Sequence, residues 1–106
     1  MSIYPRVAIK GKTKNVHLHI RINNRLKERI DGIIRLKIKR PFGKIDIFEK
    51  KVHIEPSSFI NEYFVYPIMN KPVGKYYVDG RFYWKKMCVQ SETSKKDFFV
   101  IKEVNR

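Results

Sequence analysis

With 106 residues, 42% of them hydrophobic and 13% aromatic, the chain is long enough for one packed core and too rich in aromatics for a disordered basic tail. No apolar run approaches the roughly 20 residues a membrane-spanning helix needs. The formal charge is +14 and unevenly spread, with 13 Lys or Arg against Glu28 and Asp31 in residues 1–44 and 11 against eight acids in residues 45–106. A positive surface and an anionic partner are therefore expected.

Met1–Arg6 lacks the apolar stretch of a signal peptide, so a complete chain of this kind is expected in the cytoplasm or in a virion or other assembly. No repeat, linker or low-complexity tract divides residues 1–106, which read as a single domain. Val7–Ile9 is a short first strand, and Gly11–Asn15 connects it to the next. Val16–Ile22 alternates strictly, with four apolar residues on one face and His17, His19 and Arg21 on the other, the period of a half-buried strand. Asn23–Asn24 suits a turn, because Asn tolerates positive φ. Arg25–Asp31 is a polar connection with room for one helical turn, closed by Gly32.

Ile33–Arg40 alternates again, Ile34, Leu36 and Ile38 inward and Arg35, Lys37 and Lys39 outward. Arg40–Lys44 is a Pro- and Gly-bearing turn. The strand that begins at Ile45 loses its phase across Glu49–Lys51 and regains it at Val52, which predicts a bulge or a change of sheet. Glu55–Ser58 is a break. Phe59–Ile68 is a strand of unresolved facing, because Tyr63, Phe64, Val65 and Tyr66 run together.

Pro72–Gly74 then launches the clearest strand of the chain. Tyr76, Val78, Phe82 and Trp84 share one side of it; Tyr77, Asp79, Arg81 and Tyr83 share the other. Met87–Gln90 follows, Ser91–Asp97 is a polar turn or an irregular edge, and Phe98–Ile101 closes the chain. Helical spacing is nowhere sustained, while β-branched and aromatic residues concentrate in the alternating runs. An all-β antiparallel sandwich of about seven strands is expected.

The chain resembles the immunoglobulin-like, fibronectin-type-III-like or macroglobulin-like accessory domains of bacterial and archaeal proteins. The likeness lies in Arg40-Pro41-Phe42-Gly43-Lys44, in Pro72-Val73-Gly74-Lys75-Tyr76 and its long strand, in Val89-Gln90-Ser91-Glu92-Thr93, and in Phe98-Phe99-Val100. It implies an immunoglobulin-like sandwich over nearly the whole chain.

Catalytic and metal chemistry find little support. Asp46, Glu49, Asp79 and Glu92 show no spacing that pairs a general acid with a base, and Ser57-Ser58 lacks a nucleophile-elbow context. His17 and His19 project from one face without a third ligand, so neither a metal nor a cofactor is expected. Cys88, the only cysteine, reads as a small buried apolar residue.

The surface with a mechanism is basic and aromatic: Arg35, Lys37, Lys39, Tyr77, Arg81 and Tyr83, with His17, His19 and Arg21. His17, His19, Arg21, Arg35, Lys37 and Lys39 form one contiguous stripe if their strands share a sheet, and Tyr77, Arg81 and Tyr83 point to the outer side of the later strand. In an immunoglobulin-like order the strand of His17, His19 and Arg21 lies in the opposite sheet, which favours the other six. Sheet faces and unpaired edges suit a non-enzymatic interaction or structural module within a larger assembly, its partner an acidic protein or further copies of itself. A nucleic-acid-binding module and an anionic-polysaccharide-binding module are the alternatives.

Overall fold

Alternation along the chain becomes two facing sheets. The computed structural model describes residues 1–85, 87–89 and 95–103, of which 87–89 are considered only through their backbone pairing. The strands are β1 (Ser2–Tyr4), β2 (Val7–Ile9), β3 (Asn15–Asn24), β4 (Ile30–Lys39), β5 (Ile45–Ile54), β6 (Ser58–Pro67), β7 (Gly74–Trp84), β8 (Met87–Val89) and β9 (Lys95–Ile101). One sheet has the order β1-β3-β6 and the other β2-β9-β7-β4-β5, with β8 also paired to β7. All pairings are antiparallel except that of β2 with β9. The described residues thus hold more strands than the seven expected. The burial of Cys88 and residues 91–94 of the expected Ser91–Asp97 turn lie outside the described residues, and the rest of that segment, from Lys95 to Asp97, is not a turn but the start of β9.

The core is filled by the inward positions of both sheets. Val16, Leu18 and Ile20 of β3 face Ile34, Leu36 and Ile38 of β4 and Tyr76, Val78 and Phe82 of β7. At one end, the Tyr76 and Phe98 rings stack at 4.8 Å, and Tyr66 meets both edge-on at 6.2 and 6.1 Å. Such aromatic pairs add about 0.5–1.5 kcal/mol each beyond the area they bury. The Tyr76 hydroxyl donates to the Pro72 carbonyl at 2.6 Å, so the ring is buried without orphaning its polar end.

Four sequence expectations need correction. β5 runs unbroken from Ile45 to Ile54 with neither bulge nor change of sheet, each residue opposite one residue of β4. Its lost phase arises because it is an edge strand with polar residues on the inward side. Asp46 there takes two hydrogen bonds from Arg40 and one from Tyr66, and Lys50 pairs with Glu62 of β6 at 2.5 Å. Inward charges at an edge oppose unwanted strand addition. Asn24 is not a turn residue but the buried end of β3. Gly32 does not close a connection: it lies within β4 opposite Trp84, where a Cβ would come within 2.4 Å of the Phe82 ring. The segment between Asn24 and Ile30 holds no helical turn.

Met1 to Arg6 also carries more structure than expected. β1 pairs with β3 in the first sheet, and after a cis Tyr4–Pro5 bond the chain joins the second sheet as β2. No helix among the described residues is long and apolar enough to cross a membrane.

Candidate functional site

Register fixes which outward side chains are neighbours. On β4 and β7 the opposed pairs are Ile33 with Tyr83, Arg35 with Arg81, Lys37 with Asp79 and Lys39 with Tyr77. All six residues expected from these two strands therefore share one outer face. β5 adds Lys51, Glu49, Ile47 and Ile45 opposite Ile33, Arg35, Lys37 and Lys39. His17, His19 and Arg21 lie on β3, in the other sheet. The nine residues form two surfaces, not one stripe.

The two arginines of the larger sheet are held by neighbouring carboxylates. Arg35 donates to Glu49 at 2.8 Å and lies 5.0 Å from the Tyr83 ring centre, while Arg81 contacts Asp79 at 3.3 Å. The hydrogen bond to Glu49 raises the pKa of Arg35. Lys37, Lys39 and Lys51 are different, for none of them forms an ion pair with another described residue. Successive outward residues on a strand stand about 7 Å apart. Arg35, Lys37 and Lys39 thus make a row of cations along β4, bordered by the exposed side chains of Ile45, Ile47 and Tyr77.

This row runs into a basic end of the molecule. The β4–β5 connection carries Arg40 and Lys44, and Lys71 of the β6–β7 connection is close enough to both for their charges to act on it. Burial, with these neighbouring cations, lowers the Lys71 pKa; its ammonium donates to the Pro67 carbonyl and lies 4.5 Å from the Tyr66 ring centre. At the opposite end of the same face, the His53 and Asp31 side chains hydrogen-bond at 2.5 Å, and that bond depresses the Asp31 pKa. A shallow hollow of about 270 Å³ beside them is lined by Lys51, Tyr83 and Lys85.

The outer face of the smaller sheet has another chemistry. Opposed pairs are Tyr4 with His17, His17 with Val65, His19 with Tyr63, Arg21 with Asn61 and Asn23 with Phe59. The His19 and Tyr63 rings stack at 4.8 Å, His19 Nε2 meets Asn61 Oδ1 at 2.8 Å, and the Arg21 guanidinium lies 3.9 Å from the Phe59 ring centre. Neither histidine belongs to a group of three metal-ligating side chains among the described residues.

Sequence reasoning missed Lys51, Tyr4, Phe59 and Tyr63. Lys51 fell in the phase break of β5, and Tyr4 sits on a three-residue strand too short to show a period. Phe59, Asn61, Tyr63 and Val65 carry the period-two signal, which is legible once Ser58 starts the count.

No protein-family model and no curated protein matches the chain. Among solved structures, that of the Pseudomonas fluorescens alkylpurine DNA glycosylase AlkC bound to DNA containing an abasic site analog is similar, with a TM-score of 0.71 at 11% sequence identity. The match covers 93% of this chain and 28% of the glycosylase chain. At that identity the likeness is one of fold. It nevertheless overturns the expectation of an assembly module that serves an acidic protein or copies of itself. That expectation rested on sheet faces and edges alone, whereas the matching structure is of a protein bound to DNA.

Proposed function

We propose that the chain is a non-catalytic nucleic-acid-binding β-sandwich that engages the phosphate backbone through the outer face of its larger sheet. The observation that carries this reading is the set of lysines, Lys37, Lys39 and Lys51, exposed on one rigid face without an ion pair among the described residues. A lysine already paired with a carboxylate gains little from a phosphate; an unpaired one releases the phosphate's condensed counterion. Arg35 and Arg81 are positioned by Glu49 and Asp79, and Tyr77 supplies a ring against which a sugar can rest. Contacts of this kind position a duplex without reading its sequence.

Strand order supports the immunoglobulin-like reading of the fold. β3 and β6 occupy one sheet and β4, β7 and β9 the other, the division of strands B and E from C, F and G in such sandwiches.

The test is a duplex titration followed by fluorescence anisotropy, with wild type compared to the Lys37→Gln, Lys39→Gln, Lys51→Gln triple variant. The variant should bind more weakly whatever the sequence, with the slope of log K against log salt shallower by about 0.9 for each lysine that contacts a phosphate. Equal affinity and equal slope for the two proteins would place binding elsewhere.

A further inference from the structure

The smaller sheet differs from the larger one in what its outward positions omit. The larger sheet's outer face interleaves cations with Asp31, Glu49, Asp79 and Asp97, whereas the outward residues of β1, β3 and β6 include no carboxylate. They do include three exposed rings: Tyr4 at 76%, Tyr63 at 66% and Phe59 at 48%. A single exposed aromatic is ordinary, but three on one short sheet, beside two imidazoles and a guanidinium, form a patch of defined chemistry.

We infer that this face is a stacking platform for unpaired nucleobases, built from Tyr4, Phe59 and Tyr63 with His17, His19 and Arg21. The inference rests on the nucleic-acid reading above and names a second class of contact for it. Base stacking on aromatic side chains tolerates any base, because every base has a π-face. The rings are already oriented: Tyr63 is backed by His19, and Phe59 is held under the Arg21 guanidinium. Little side-chain freedom is then lost on binding. Asn61, opposite Arg21 and in contact with His19, offers an amide to a base edge, and the guanidinium complements the phosphates that accompany the bases. An acid-free surface adds no repulsion toward a polyanion. The lysine face and this one lie on the outer sides of different sheets, so each is a separate site, and this one gives strands with unpaired bases a contact that a continuous duplex lacks.

That contact is tested with three probes of equal length: oligothymidine, a strand of abasic deoxyribose phosphates, and a duplex. Wild type should bind oligothymidine more tightly than the abasic strand of the same charge. Tyr63→Ala and Phe59→Ala should each weaken oligothymidine binding about fivefold or more while leaving the abasic strand and duplex unchanged. Tyr63→Phe should retain wild-type affinity, and thermal melts should stay close to wild type because both side chains are exposed. Equal binding of oligothymidine and the abasic strand, or variants that weaken all three probes alike, would overturn the stacking site and leave the lysine face standing. Failure to bind any probe at low salt would remove both readings.

Discussion

At the end of β3 the Asn24 side chain is 2% exposed, and its amide donates to the carbonyls of Glu28, Ile54 and Glu55 while its oxygen accepts from the Leu26 amide. One residue thus ties the β3–β4 connection to the end of β5. Asn24→Ala should lower stability by about 1–3 kcal/mol, since several buried backbone groups lose their partner together, and a denaturant melt reads the loss. Asp46 works similarly at the other end of the sandwich, where the Arg40 hydrogen bonds hold its carboxyl below the usual range and Tyr66 donates to it. A carboxylate whose pKa is depressed by folding stabilises the fold above its unfolded value of about 3.9. That contribution is lost as pH falls through the lower, folded value. Asp46→Asn should therefore be less stable than wild type near neutrality, by about 1–3 kcal/mol, and the gap should close as the solution is acidified. A gap that persists unchanged at low pH would show that the charge of Asp46 is not what matters.

Between elements, the β4–β7 pairing organises both the core and the lysine face, and Gly32 sets how closely the two strands can pack. An added methyl would come within 2.6 Å of two Phe82 ring atoms and 2.7 Å of the Tyr83 carbonyl. Gly32→Ala should cost about 1–3 kcal/mol by overpacking, seen as a lower melting temperature with a native-like circular dichroism spectrum. The inward and outward faces of β3, β4 and β7 were legible in the sequence because buried apolar residues alternate there with mostly polar or charged outward ones. β5 was not, for its inward Asp46 and Lys50 are satisfied by Arg40, Tyr66 and Glu62, partners that only the tertiary structure brings near. Nor was β6, where large residues occupy both faces. The lysine row on β4 was therefore readable in advance, whereas the aromatic face needed β1 and β6 to be placed beside β3.

Over the whole molecule, two outer sheet faces are presented on a narrow body whose backbone extends 58 × 23 × 19 Å. Its charge is organised more than its total implies. Acids on the larger sheet are paired with arginines, and Lys37, Lys39 and Lys51 are left over; acids are absent from the outward positions of the smaller one. The excess positive charge opposes folding through self-repulsion, so an anionic ligand should stabilise the protein. A thermal melt with added duplex should rise with duplex concentration at low salt and return to the free value at high salt.

The central claim, that unpaired lysines of the larger sheet hold a nucleic-acid backbone, is tested most directly by measuring duplex affinity across a range of salt concentrations. Affinity should fall linearly on a log–log plot, and the Lys37→Gln, Lys39→Gln, Lys51→Gln variant should show a shallower slope at unchanged thermal stability. Binding that is absent at low salt, or equally strong at every salt concentration, would contradict it.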